Sequence, residues 1–175
     1  MNTWVTPNHL TTARLVTGLA AGAAWGIAWI GLGASLFAVS MLMDRADGEL
    51  ARQQGASSAF GHRYDLVTDA AVNVGVMIGI GFGLTDGSLG QWAVFAGLVA
   101  GAAIGYILWL MVQVEKARGQ GAAKLGAFAG FDPDDAMILI PIGMLLGWGE
   151  FLIVAAAIGA PAAALILRRY LGRAR

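Results

Sequence analysis

The sequence predicts an all-α membrane protein, a six-transmembrane-helix bundle with its N- and C-termini on the cytoplasmic side. Three observations carry that expectation. Of 175 residues, 58% are hydrophobic and 13% charged, with 26 glycines and no cysteine, and the mean hydropathy is +0.69. A soluble domain carries roughly 25% charged residues, about twice as many. Six apolar stretches are long enough to be read as crossings of a hydrocarbon core of about 30 Å, and all 11 Lys and Arg fall on one side of them. The same composition excludes disorder, a disulfide scaffold and a cysteine-ligated zinc or iron–sulfur centre. Equal numbers of acids and bases, 11 each, leave no net charge to attract a nucleic acid.

The stretches run from Ala13 to Gly31, Gly33 to Gln53, Gly61 to Leu84, Gln91 to Val114, Asp135 to Trp148 and Phe151 to Leu167. The fifth is the shortest, and its Pro141 is expected to kink it. The segment from Met1 to Leu10 has no basic region of the kind that opens a cleaved signal sequence. Arg14 lies near the N-terminus; Arg45, Arg52 and Arg63 surround the second connection; Lys116, Arg118 and Lys124 occupy the fourth; Arg168, Arg169, Arg173 and Arg175 form the tail. The opposite connections, 31–33, 85–90 and 147–150, hold no base and two acids, Asp86 and Glu150. The positive-inside rule then puts both termini in the cytoplasm. Glycines recur every four residues at Gly18, Gly22 and Gly26, at Gly75, Gly79 and Gly83, and at Gly97, Gly101 and Gly105, which predicts close helix packing. No repeat or linker divides residues 1–175, so one membrane domain is expected.

Two of the 11 acids are Asp86 and Glu150, so nine share the basic side. Four of them are paired at helical spacing: Asp44 with Asp47 at i, i+3, and Asp65 with Asp69 at i, i+4. Residues three and four apart share a helix face, and the short connection 55–60 makes the two helices antiparallel neighbours, so the pairs converge. At 1.5 Å per residue Asp44 lies only roughly 16 Å from the outer end of its helix, a depth at which charge costs several kcal/mol unless it is paired, hydrated or metal-bound. Arg45 and Arg63 are the cations this reading offers for a purely structural ion-pair account. An all-carboxylate donor set favours a hard divalent ion, Mg²⁺ or Mn²⁺, over Zn²⁺. Gly48 and Ala51 leave room beside the acids, and Arg52 stands one turn further on to hold a phosphate or stack on a base.

The stretch Asp44-Arg-Ala-Asp47-Gly48-Glu-Leu-Ala51-Arg52, followed at fixed spacing by Gly61, Asp65 and Asp69, resembles the signature D-x-x-D-G-x-x-A-R-x8-G-x3-D-x3-D of the CDP-alcohol phosphatidyltransferase family, with every specified position matched. Thr6-Pro7-Asn8-His9-Leu10-Thr11 and Ser58-Ala59-Phe60-Gly61 are similar to the family's entry into the first crossing and to its turn before the third. The resemblance implies that Asp44, Asp47, Asp65 and Asp69 hold two Mg²⁺ or Mn²⁺ ions and that Asp69 is the catalytic base. It also implies that Gly48, Ala51, Arg52 and Gly61 receive the cytidine nucleotide. Asn8, Thr11 and Ser58 are further nucleotide contacts by local motif, with helix capping as the alternative for each. The reaction implied is phosphatidyl transfer from CDP-diacylglycerol to a small alcohol with release of CMP, in phospholipid synthesis. The expected setting is the bacterial inner membrane, with the site facing the cytoplasm. A homodimer is implied by the resemblance alone.

Lys116 and Arg118 resemble a family stretch associated with phosphorylated acceptors, although cations at a cytoplasmic helix end are expected in any case. Ala70 after the fourth signature aspartate, and the acidic run Phe131-Asp132-Pro133-Asp134-Asp135, lean away from such an acceptor. Asp134 and Asp135 are read either as dipole-complementing residues behind an Asp132 N-cap or as selectors of a neutral polyol or amino alcohol. Two alternatives remain open: the same chemistry with a soluble CDP-alcohol donor and a lipid or polyol acceptor, and a non-catalytic cation-binding or transporting membrane protein. The second leaves Gly48, Ala51, Arg52 and Gly61 unexplained. His9 and His62 receive no role, and the six tryptophans, Trp4, Trp92 and Trp148 among them, are read as interfacial anchors.

Overall fold

A computed structural model describes residues 6–54, 58–118 and 137–173. Among them all regular structure is helical: α1 Pro7–Gly26, α2 Ile30–Gln54, α3 Ala59–Gly83, α4 Gln91–Arg118, α5 Leu139–Leu145 and α6 Gly149–Arg173. Three stretches are long and apolar enough to cross a membrane, Ala59–Gly83, Gln91–Lys116 and Gly149–Arg169, as befits an integral membrane protein. α2 falls short by composition, because only Ile30 to Met43 is free of charge before Asp44, Arg45, Asp47, Glu49 and Arg52 begin. α5 has 7 residues. Met137 is helical and Ile138 is a turn before α5 resumes, since Pro141 has no N–H to donate to the Met137 carbonyl.

α1 packs along both α2 and α3, α3 continues onto α4, α4 onto α6, and α5 leans on α2. The shared core is Trp25, Phe37, Val72, Val76, Ile80, Ala100 and Ile153. Trp25 corrects the reading of the tryptophans as anchors: it is fully buried, its ring 5.5 Å from Phe37 and its Nε1 donating to the Ile30 carbonyl at 3.3 Å. Trp92 and Trp148 are exposed as expected; Trp4 lies outside the described residues.

The first turn is also displaced from its expected place. It falls at residues 27–29 rather than 31–33, because Ala28 takes a left-handed φ of 58° and the Trp29 N–H closes on the Ala24 carbonyl at 2.8 Å. Gly33 is thereby drawn into α2, where a Cβ would stand 2.5 Å from the Trp25 ring. The glycine triplets of α1 and α3 face one another. A methyl on Gly22 would lie 2.7 Å from the Gly75 carbonyl oxygen, and one on Gly97 of α4 2.5 Å from that of Met77. Gly105 does not follow its triplet, since nothing lies within 4 Å of the position its Cβ would take.

Candidate active site

The site forms where α1, α2 and α3 meet. α2 presents Asp44 and Asp47 on one face and α3 presents Asp65 and Asp69, as the three- and four-residue spacings require. α3 is started locally by Ser58, whose side chain accepts from the Gly61 N–H at 2.9 Å, so the capping reading of Ser58 is realised. Asp44, Asp47 and Asp65 each offer one oxygen, all within 4.8 Å of one another. Three hard oxygen donors at that separation suit a divalent cation such as Mg²⁺ or Mn²⁺.

Asp47 is buried and accepts from the Thr11 hydroxyl at 2.8 Å. Asp69 stands outside the close triplet and is held by Arg14. This arginine is the main feature that the sequence reading missed. Its Nη1 lies 2.5 Å from Asp44 and 3.0 Å from Asp65, and its Nη2 contacts Asp69. Arg14 is thus a cation at the centre of the acids. Arg45 lies beside them, lining a small cavity of ≈ 40 Å³ with Arg14, Ser40, Asp44, Asp69 and Asn73. Arg63 is exposed and lines another pocket. The linear signature spans α2 and α3 only, so a residue supplied by α1 carries no spacing signal; its charge was legible only as an orientation marker.

A second cleft, of ≈ 340 Å³ and sharing no lining residue with the small cavity beside Arg14, is lined by Asn8, Thr11, Asp47, Gly48, Ala51, Arg52, Ser58, Gly61 and Asp65, with Pro7 and His62. Every residue expected to receive the nucleotide therefore lines one cavity. A Cβ at Gly48 would meet nothing within 4 Å, so protein packing does not demand glycine there; the room faces the cleft. Arg52 is exposed, with Glu49 at 2.7 Å. Lys116 is the acceptor candidate whose side chain is described. Lys116 lines a separate pocket of ≈ 110 Å³ with Arg63, His62 and Glu115, where His62 Nε2 is 2.9 Å from Glu115. Arg118 is the last residue of α4, and its side chain, like Asp134, Asp135 and Lys124, lies outside the described set.

Residues 4–167 match the family described as CDP-alcohol phosphatidyltransferase. The chain belongs to that family. It is accordingly an enzyme, a transferase of phospholipid synthesis. Its fold is similar to that of Mycobacterium tuberculosis phosphatidylinositol phosphate synthase. The structure of that protein with CDP-DAG bound has 19% identity and a TM-score of 0.71, covering 94% of this chain and 86% of that one. Its apo form has 18% identity and a TM-score of 0.71, covering 94% and 89%. No curated protein sequence matches the chain.

Proposed function

We propose that this phosphatidyltransferase moves the phosphatidyl group of CDP-diacylglycerol onto the hydroxyl of a small alcohol and releases CMP. In this reading it works as one six-span domain of the bacterial inner membrane, with its termini and its site at the cytoplasmic face. The observation that carries the reading is the single cleft shared by two of the carboxylates, Asp47 and Asp65, and all of Asn8, Thr11, Gly48, Ala51, Arg52, Ser58 and Gly61. A cation carrier has no need of that second lining.

Gly48 and Ala51 leave the nucleotide space beside Asp47, and Arg52 at the rim, loosely paired with Glu49, is available to a phosphate or a base. Asp44, Asp47 and Asp65 would hold the divalent ion, and two ions with Asp69 included match the four negative charges. Bound Mg²⁺ or Mn²⁺ supplies electrostatic stabilisation of the donor pyrophosphate and the departing CMP. Asp69 lines the small cavity, which shares no lining residue with the nucleotide cleft, and that separation suits a base that removes the acceptor proton. The acceptor oxygen forms its bond to phosphorus as the bond to CMP breaks, so the two oxygens belong on opposite sides. A lipid-linked donor is favoured by a groove of ≈ 650 Å³ between α2 and α5, lined by Ala34, Ala38, Leu42, Pro141, Ile142 and Leu145, with Arg45 among its lining residues. Met41 and Arg45 also line the small cavity by the aspartates. That continuity gives acyl chains a place beside the chemistry.

The test is CMP release from CDP-diacylglycerol by the purified protein with neutral polyols, amino alcohols and phosphorylated alcohols. Release is expected to need Mg²⁺ or Mn²⁺ and to fall by about 10²-fold or more in Asp69→Asn. CMP from a soluble CDP-alcohol but not from CDP-diacylglycerol would overturn the donor assignment, and no CMP from any CDP donor would overturn the transferase reading. Acceptor choice by Asp134 and Asp135 predicts a raised acceptor KM in Asp134→Ala and Asp135→Ala.

A further inference from the structure

We infer that Arg14 is a built-in counter-ion of the metal centre. It binds the carboxylates of α2 and α3 into one unit when no divalent ion is present, and it yields Asp44 and Asp65 when such an ion binds. The inference rests on the reading of Asp44, Asp47 and Asp65 as metal ligands.

Arg14 stands about two turns into α1, with only 6% of its side chain exposed. A guanidinium at that burial is costly without partners, and so is a carboxylate cluster without a cation; each supplies what the other lacks. The contact is a three-way fork to Asp44 of α2 and to Asp65 and Asp69 of α3. A planar guanidinium can make that arrangement, whereas an ammonium cannot span it. The backbone at the same level is fixed as well, since the buried Ser40 hydroxyl of α2 donates to the Arg14 carbonyl at 3.1 Å.

The two sets of contacts overlap in an informative way. Of the three carboxylates close enough to share an ion, Asp44, Asp47 and Asp65, two are already partners of Arg14. An ion entering the triplet meets competition for the Asp44 and Asp65 oxygens and repulsion from the guanidinium, and both effects weaken its binding. Asp69 lies outside the triplet, so a single ion in the triplet leaves Arg14 one partner. Asp47 is the remaining ligand, and it is held by Thr11 instead of Arg14, which leaves one pre-aligned acid for the ion to meet first. Arg14 is therefore a positioning residue that keeps the centre assembled and sets the ion concentration at which it fills.

The test uses the full chain in detergent micelles without nucleotide. Mn²⁺ binding is followed by the electron paramagnetic resonance of the free ion, and thermal unfolding is recorded in chelator and in Mn²⁺. Arg14→Gln is expected to melt below the unaltered protein in chelator, to gain more from Mn²⁺, and to bind Mn²⁺ about tenfold tighter, the scale on which neighbours of metal ligands act. Arg14→Lys keeps the charge without the fork, guards against a misfolded glutamine variant, and should bind Mn²⁺ with intermediate affinity. A merely structural arginine predicts the opposite sign, a loosened site that binds Mn²⁺ more weakly. Unchanged or weaker Mn²⁺ binding in the variants overturns the inference. Absence of Mn²⁺ binding in the unaltered protein overturns the metal-site reading instead.

Discussion

Thr11 shows how one hydroxyl links the entry of the first helix to the chemistry of the second. It is buried and stands within hydrogen-bond distance of both Asp47, at 2.8 Å, and the Pro7 carbonyl, at 3.1 Å. A hydroxyl has one proton to donate, and the charged acceptor takes the stronger bond. Thr11→Val should therefore raise the Mg²⁺ concentration needed for half-maximal CMP release by about tenfold, with turnover recovered at saturating Mg²⁺ and Thr11→Ser close to the unaltered enzyme. A Mg²⁺ titration at fixed donor measures this. A raised donor KM with an unmoved Mg²⁺ requirement would instead return Thr11 to the nucleotide contact that the family resemblance implies.

At the scale of elements, the contact of α1 with α3 carries the site, because it fixes Arg14 and Thr11 against the two acidic helices. Its closest approach is between backbones: a Cβ on Gly79 would collide with the Gly22 carbonyl group. Gly79→Ala is expected to destabilise the protein by about 1–3 kcal/mol, the usual cost of overpacking. Gly105→Ala, at a position with nothing within 4 Å, should stay within about 0.5 kcal/mol. Chemical denaturation in micelles compares the two. At the other end of the bundle, Glu150 of α6 accepts from the Leu89 N–H at 3.2 Å and from the Ser88 hydroxyl. The α3–α4 turn is thereby tied to α6 on the side away from the acids.

For the whole molecule, the useful division is between two sets of carboxylates. Asp47 and Asp65 line the larger cleft, whereas Asp44 and Asp69 line the small cavity, which shares Met41 and Arg45 with the apolar α2–α5 groove. A donor with one polar and one lipid end fits that division. Orientation in the membrane is testable because the chain contains no cysteine. Six spans with cytoplasmic termini predict that Asp86→Cys reacts with an impermeant maleimide in intact cells, whereas Arg168→Cys reacts only after the membrane is opened. Equal labelling of both before lysis would exclude that topology.

Much of the candidate site was legible in linear order, since Asp44, Asp47, Gly48, Ala51 and Arg52 share one helix and Gly61, Asp65 and Asp69 another, and helical periodicity converts such spacing into a common face. The glycine approach of α1 to α3 was legible for a related reason. The position of the first turn was not, because it depends on Ala28 adopting a left-handed conformation and on Trp25 being seated over Gly33. Nor was the burial of Trp25, which a hydropathy reading cannot separate from that of an interfacial tryptophan. The sequence by itself determined the reaction class and the pairing of the four aspartates on two helix faces, since the signature is encoded at short range within single helices. Only the tertiary structure decided which cation answers those aspartates, because Arg14 meets them through the packing of a third helix, and contacts between helices leave no fixed spacing in the chain.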